Sequence, residues 1–108
     1  MSFQHKQLQN GKWHALSLSG QLANIGSEVF RAINWKKKNN SEYSQLAFYR
    51  CLELIDLTIS DAKNSTRLKE IARLREALVD YFFAGNAFAS SEILWEHYFL
   101  PFNFLARK

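Results

Sequence analysis

The stretch Ile93-Leu94-Trp95-Glu96-His97-Tyr98-Phe99-Leu100-Pro101-Phe102-Asn103-Phe104-Leu105 decides the fold. Only Glu96, His97 and Asn103 in it are clearly polar, and nine of the chain's 16 aromatic residues lie between positions 81 and 104. A helix at the surface of a small monomer needs one apolar stripe, whereas this segment is apolar nearly all round. It therefore predicts a helix whose surplus apolar surface is covered by another copy of the chain or by a partner protein.

The composition around this segment predicts a single all-α domain in a reducing compartment. A length of 108 residues suits one domain, and four glycines with one proline indicate long helices joined by few turns. The single cysteine, Cys51, cannot form an internal disulfide, so we expect a cytoplasmic protein. We see no signal peptide, and polar residues interrupt the longest apolar segment. We therefore expect no membrane association.

Apolar periodicity and capping residues predict four helices. The first begins after Ser17 or Ser19 and ends in the lysine run 36–38. The second follows a capping box formed by Asn39 and Glu42 and continues to about position 59. The third covers about 66–84, with Gly85 as its stop.

The fourth helix begins after Ser90 or Ser91, and Pro101 should kink or break it. Gly26, on the apolar face of the first helix, indicates a close contact with another helix. Short connections predict an up-down antiparallel four-helix bundle over residues 19–108. Residues 1–18 form an N-terminal arm that is irregular or, around Asn10-Gly11, a hairpin.

No pattern of a catalytic or metal site is present in the sequence. His5, His14 and His97 are scattered without a partner at ligand spacing. Cys51 is interpreted as a small core residue, and Glu53 and Asp56 as partners of Arg50, Arg73 or Arg75. We therefore expect no enzymatic activity, no catalytic residues, no metal and no cofactor.

Basic residues give the stronger functional lead. An up-down bundle gathers Lys12, Lys63, Arg67, Lys69, Arg107 and Lys108 at one end and the run 36–38 at the other. With a net charge of +4, such clusters are able to neutralise phosphates. Trp13, Trp35 and Tyr49 are aromatic side chains that could stack on bases. Lysines at helix ends also serve for solvation and dipole pairing, and Trp35 could equally be a half-buried anchor.

Three short segments carry a family resemblance: Asn24-Ile25-Gly26-Ser27-Glu28, Glu42-Tyr43 and Arg50-Cys51-Leu52-Glu53-Leu54. The chain resembles the four-helix proteins encoded in intervening sequences of large ribosomal RNA genes, whose relatives include the accessory protein of diversity-generating retroelements. The resemblance implies a non-enzymatic protomer that assembles as a ring, commonly a pentamer, and binds nucleic acid or a reverse transcriptase. The contacts it implies here are Arg31, Lys36, Lys37, Lys38, Arg67, Lys69 and Arg73.

The sequence thus predicts a homo-oligomeric helical module that binds RNA or DNA and has a reverse transcriptase or another protein as a possible partner. The predicted nucleic-acid contacts are Arg31, Lys36, Lys37, Lys38, Lys63, Arg67, Lys69, Arg73, Arg107 and Lys108. The predicted oligomer or partner interface consists of Phe83, Trp95, Tyr98, Phe99 and Phe102. The alternative is a scaffold module that docks an enzyme through its aromatic C-terminal helix without contacting nucleic acid.

Overall fold

A computed structural model describes residues 11–106 and contains four α-helices. They are α1 (Leu18–Lys37), α2 (Ser41–Ser60), α3 (Leu68–Phe83) and α4 (Glu92–Ala106). A 3-10 helix, Ala62–Arg67, leads into α3. Among residues 11–106 there is no β-strand, which confirms the predicted all-α class.

Contacts between helix ends show that α2 and α4 both run antiparallel to α1. Near the start of α2, the Ser44 hydroxyl donates a hydrogen bond of 2.8 Å to the carbonyl oxygen of Ala32, late in α1. At the same end of the molecule, Lys37 closes α1 with a 2.7 Å ion pair to Glu92, the first residue of α4. The predicted up-down four-helix bundle is confirmed.

Polar side chains set the helix starts. The Ser17 hydroxyl accepts a hydrogen bond from the Gly20 amide at 3.1 Å and caps α1, as predicted. For α2 the prediction of Asn39 as the cap is wrong by one residue. Asn40 accepts the bond from the Tyr43 amide at 3.0 Å, whereas Asn39 has φ of 60° and makes the left-handed turn that ends α1.

Of the two outcomes predicted at Pro101, a kink or a break, α4 does not show the break. The helix continues to Ala106, five residues beyond the proline. A proline at this position leaves the carbonyl of His97 without its helical donor. Both residues are exposed, so water can hydrate that carbonyl, and packing of the opposite face holds the helix together.

Helix α1 lies at the centre of the bundle, with α2 and α4 packed against it and α3 packed on α2. The contact between α1 and α4 depends on Gly26. A Cβ atom at this position would lie 2.7 Å from Cγ of Phe99, so only glycine lets the Phe99 ring sit against the α1 backbone. The close contact predicted at Gly26 is confirmed.

The segment before α1 belongs to the packed structure. Residues 11–17 form turns, and Trp13 is only 2% exposed in the core. Its indole N–H donates to the Thr58 hydroxyl at 3.0 Å, which fastens the segment to the end of α2. The predicted arm therefore ends before Trp13 at the latest, and residues 1–10, including the first half of the possible hairpin, lie outside the described residues.

In residues 11–106, no helix combines the length and the apolar character needed to cross a membrane.

Candidate nucleic-acid interface

Trp35 lies near the end of α1 as a partly exposed aromatic platform. The turn at residues 38–40 reverses the chain and brings Tyr43 of α2 edge-on against it, with ring centroids 4.9 Å apart at 76°. The Asn40 amide donates a hydrogen bond of 2.9 Å to the Trp35 carbonyl oxygen. Backbone and aromatic contacts therefore hold the indole in place.

Two shallow clefts meet at Trp35. One, of about 220 Å³, is lined by Trp35, Tyr43, Leu46 and Arg50. The other, of about 570 Å³, is lined by Ser27, Phe30, Arg31, Asn34, Trp35 and Lys38. We name Arg31, Trp35, Lys38, Tyr43 and Arg50 the Trp35 surface. An aromatic ring with open space beside it can accept another planar group.

Three cations surround this ring. The Lys38 ammonium lies 5.2 Å from the centroid of the Trp35 ring, within cation–π range. The Glu28 carboxylate is almost fully buried. It contacts the Arg31 guanidinium at 2.6 Å and lies 3.9 Å from the Arg50 guanidinium. One carboxylate contacts two guanidinium groups, and the five residues of the Trp35 surface include three cations and no carboxylate.

The neighbouring lysines of the predicted site differ in their surroundings. Lys37 is paired with Glu92 and is the least able to bind an anion without losing an existing contact. Lys36 is exposed, and its ammonium lies 6.0 Å from the centroid of the Tyr81 ring. Lys36 and Lys38 are therefore the lysines of this run whose ammonium groups have no ion pair within residues 11–106.

The second group of predicted contacts lies around the start of α3. Lys63 forms an ion pair with Asp61 and donates to the His14 carbonyl oxygen at 3.0 Å. Its ammonium group therefore already has two partners within the fold, and a phosphate contact by Lys63 stays a prediction. Arg67 pairs with Glu70 at 2.6 Å, and Arg107 and Lys108 lie outside the described residues.

Lys69 and Arg73 are exposed and form no ion pair within residues 11–106. They lie at the rim of a groove of about 500 Å³ between α3 and α4. The groove is also lined by Leu74, Ala77, Trp95 and Tyr98. The structure therefore divides the predicted basic residues between two separate surfaces, of which only the Trp35 surface combines several cations with a fixed ring between open clefts.

A buried polar cluster around Asp61 was not predicted from the sequence. Gln21, which the helix pattern places on a polar face, is fully buried and donates to Asp61 at 3.0 Å. Asn64 donates to Gln21 at 2.9 Å, and Nδ1 of His14 lies 3.0 Å from the Asp61 carboxylate. We name His14, Gln21, Asp61, Lys63 and Asn64 the Asp61 cluster.

The electrostatics of this cluster favour an ionised carboxylate. Burial alone would raise the pKa of Asp61, but hydrogen bonds from Lys63, His14 and Gln21 outweigh burial and hold the pKa well below its usual range. The cluster joins the segment before α1 to α1 itself, the end of α2 and the 3-10 helix. We therefore interpret the cluster as a structural clamp, meaning a set of polar contacts that holds these parts of the chain together.

The predicted interface residues face different surroundings. Trp95 is 6% exposed and Phe99 is fully buried against α1, so both side chains pack inside the chain in this structure. Tyr98 and Phe102 are half-buried, and Phe83 is 48% exposed beside Tyr49. Burial and the nearby Glu70 charge raise the pKa of Tyr98 to about 12.

The apolar residues of α4 that do reach the surface are a different set. They are Ile93, Leu94, Leu100, Phe104 and Leu105, each 51–62% exposed. Counting apolar residues along the segment could not identify them, because residues on all faces of this helix are apolar. Once the core face was known, steps of four, three and four residues along the helix from Ile93 would have identified most of them.

Two other sequence interpretations concern titratable groups. Cys51 is fully buried in the core, as predicted, and burial raises the pKa of its thiol strongly. Asp56 pairs with Arg75 at 3.0 Å, which confirms one of the proposed carboxylate–arginine pairs. The chain was compared with protein families, curated proteins and solved structures, and none of them matches it.

Proposed function

We propose that this protein is a non-enzymatic module that binds single-stranded nucleic acid on the Trp35 surface. The observation that carries the proposal is the fixed indole of Trp35 between two clefts, with Arg31, Lys38 and Arg50 around it. Single-stranded nucleic acid combines a planar base with a negatively charged backbone. That is the combination for which an aromatic platform inside a basic surface is suited.

In this proposal Trp35 stacks on a base while the cations contact neighbouring phosphates. Stacking of one base on an aromatic side chain contributes about 1–3 kcal/mol and tolerates any base, because every base has a π-face. Lys38 moves from the indole to a phosphate, and Lys36 extends the basic surface toward α3. Glu28 holds the guanidinium of Arg31 in place beside the ring.

Affinity for a long strand rises when several protomers bind it together. A single protomer offers a few phosphate contacts, and a second site on the same assembly binds at a high effective concentration. A homo-oligomer would bring several such sites together, and we include this assembly in the proposal. The resemblance noted above further implies a cytoplasmic accessory subunit that works with a reverse transcriptase or another RNA-handling enzyme.

The experiment compares matched variants in a binding titration. We would measure fluorescence anisotropy of a labelled 12-nucleotide oligo-uridine at low salt with the wild type and with Trp35→Leu. The loss of one stacked base predicts weakening of roughly 10–100-fold. Phe88→Leu is the control, since Phe88 is an aromatic residue 62% exposed in the loop before α4 and outside the Trp35 surface.

The charge contribution has its own pair of variants. Lys38→Gln should weaken binding and reduce the slope of log affinity against log salt by about 0.7, the amount for one single-strand phosphate contact. Lys12→Gln removes the same charge at the opposite end of the bundle and should leave the slope unchanged. Equal effects of the two lysine variants, or unchanged binding by Trp35→Leu, would rule out the Trp35 surface as the site.

A second candidate function is a protein-docking module without nucleic-acid contact. The observation that favours it is the exposed apolar surface of α4, from Ile93 to Leu105, which suits a protein better than a polyanion. A chain with no affinity for oligo-uridine at low salt, yet with a stoichiometric protein partner lost on replacing Leu100, would support this candidate over the first.

A further inference from the structure

The outward side of α4 carries an apolar stripe that no other part of residues 11–106 covers. Ile93, His97, Leu100 and Phe104 are all exposed and recur at spacings of four, three and four residues. They project opposite Trp95 and Phe99, which point into the core. We name these four residues the α4 outer stripe. Leu94 and Leu105 extend its apolar surface on one flank.

The spacing of the stripe is that of a helix seam that packs on another helix. Alternation of three and four residues keeps side chains on one line along the helix and lets them interdigitate with a partner helix. From His97 to Ala106, α4 contains no Asp, Glu, Lys or Arg. The four residues of the stripe carry no fixed charge, and Glu96 is the one exposed carboxylate beside them between Ile93 and Phe104, so the stripe favours a largely apolar occupant.

The stripe is complementary to itself. If two α4 helices pack antiparallel about a point midway between Tyr98 and Phe99, Ile93 of one copy faces Phe104 of the other. In the same register His97 faces Leu100, because the members of each pair lie equally far from the midpoint. Ile93 and Phe104 therefore meet as an apolar pair, and the His97 imidazole meets Leu100, on both sides of a two-fold axis, as an isologous interface requires.

The available area fits this occupant. Five half-exposed apolar side chains of α4 offer on the order of 500 Å² on each copy, so that two copies bury about 1,000 Å², the lower range for a specific interface. The chain is small, and an exposed apolar surface of this extent is at the upper end for a monomer. A single pairing of α4 with α4 covers it without another protein.

We infer that the α4 outer stripe is the interface of a homodimer formed by antiparallel pairing of α4 with α4 of a second copy. The inference does not rest on the nucleic-acid proposal, because the stripe and the Trp35 surface share no residue. It names an interface formed by side chains other than the inward-facing Trp95 and Phe99. A two-fold pair also differs in mass from a ring of more copies.

The test is the mass of the full chain by light scattering, with and without a charge in the stripe. The wild type should have twice the chain mass of 12.6 kDa, and Leu100→Glu should fall to the single mass. Leu100 is half-exposed, so far-UV circular dichroism should stay unchanged. Leu68→Glu is the matched control, since Leu68 is 39% exposed at the start of α3 and should leave the dimer intact.

Cross-linking tests the register independently. The double variant His97→Cys and Leu100→Cys should form an intermolecular disulfide on mild oxidation, and Cys51 does not compete because it is buried. A wild-type monomer at high micromolar concentration, a mass above two chains, or a dimer that survives Leu100→Glu would each overturn the inference. So would a monomer that buries the stripe only against a different protein.

These readouts are separable from those of the nucleic-acid proposal. Trp35→Leu should leave the mass at two chains, whereas Leu100→Glu should keep the binding of one protomer to a short oligonucleotide. If oligo-uridine binding fails while the dimer is found, the Trp35 proposal falls and the interface stands. The reverse result removes the interface alone.

Discussion

At the residue scale, the Asp61 cluster shows how a few polar side chains stabilise the end of the bundle where α2 is connected to α3. Asp61 is 8% exposed and accepts hydrogen bonds from Lys63 and Gln21 with His14 alongside. A buried carboxylate with this many donors is stabilised only while all of them are in place. The cluster therefore depends on tertiary contacts between two stretches of the chain, 14–21 and 61–64, that are distant in sequence.

Replacing Asp61 should cost stability in a pH-dependent way. Asp61→Asn should lower the free energy of unfolding at pH 7 by about 1–3 kcal/mol, because charge-assisted hydrogen bonds are lost. The pKa of Asp61 is depressed in the folded protein, so its contribution is fully present above the unfolded value of about 3.9 and is lost progressively as the pH falls from there through the depressed pKa of the folded state. Urea denaturation at pH 7 and pH 3 measures both effects.

Asp56→Asn is the control for this prediction. Asp56 is paired with Arg75, but both side chains are well exposed, so its loss should change the free energy of unfolding by less than about 1 kcal/mol. If Asp56→Asn and Asp61→Asn destabilise equally, or if the Asp61 effect does not shrink at pH 3, the cluster is not the clamp described.

Single residues differ in how well their role could be predicted from the sequence. Ser17 was identified as a cap because capping is a local interaction within one turn. Asn39 and Asn40 are both good caps, and the choice between them depends on which one takes the left-handed conformation. Gln21 looked like a surface residue because its partners, Asp61 and Asn64, lie more than 35 positions away along the chain.

At the scale of helices, the contact of α1 with α4 depends on Gly26. Gly26→Ala should lower the free energy of unfolding by about 1–3 kcal/mol, because the new methyl group would overlap the Phe99 ring. This loss outweighs the gain of up to about 1 kcal/mol that alanine brings to a helix. Denaturant unfolding at a fixed protein concentration measures the difference.

Gly20→Ala supplies the comparison within the same helix. A Cβ atom at Gly20 would meet its nearest neighbours at 3.5 Å, an ordinary contact, so the variant should be as stable as the wild type or slightly more stable. Destabilisation by Gly20→Ala, or none by Gly26→Ala, would contradict the account of the α1–α4 contact. A partial rescue of Gly26→Ala by Phe99→Leu should follow, because the smaller side chain frees space.

Helix boundaries were largely predictable, whereas the orientation of α4 was not. Capping residues such as Ser17 and Ser91 lie at the helix starts and can be recognised from the local sequence. In α4, apolar residues occur on every face, so the pattern could not tell Phe99 in the core from Phe104 at the surface. Pro101 predicts a kink or a break, and α4 continues past it because packing of the buried face outweighs the loss of one hydrogen bond.

At the scale of the whole molecule, the bundle presents two surfaces of different chemistry. The Trp35 surface near the end of α1 is basic and aromatic, and the α4 outer stripe is apolar and without fixed charge. The sequence predicted both kinds of surface, but it could not group the cations, because grouping depends on which ones are neutralised inside the fold. Lys63 and Lys37 are paired with Asp61 and Glu92, whereas Lys38 faces Trp35.

The association of copies should multiply nucleic-acid affinity. If each copy in a pair carries one Trp35 surface, a strand long enough to reach both surfaces should bind more tightly than a 12-nucleotide strand. Leu100→Glu should remove this gain and leave the affinity for the short strand unchanged. Titration of a short and a long oligo-uridine with both proteins compares the two affinities directly.

The most direct measurement of the central claim uses the protein's own tryptophans. Trp13 is 2% exposed in the core, and Trp95 is 6% exposed and lines the separate α3–α4 groove, so a ligand on the Trp35 surface contacts Trp35 alone among the three. Stacking of a base on Trp35 should quench the intrinsic fluorescence during titration with unlabelled oligo-uridine at low salt, and Trp35→Phe should abolish the quenching. Unchanged fluorescence in the wild type, or equal quenching in the variant, would contradict base stacking at this surface.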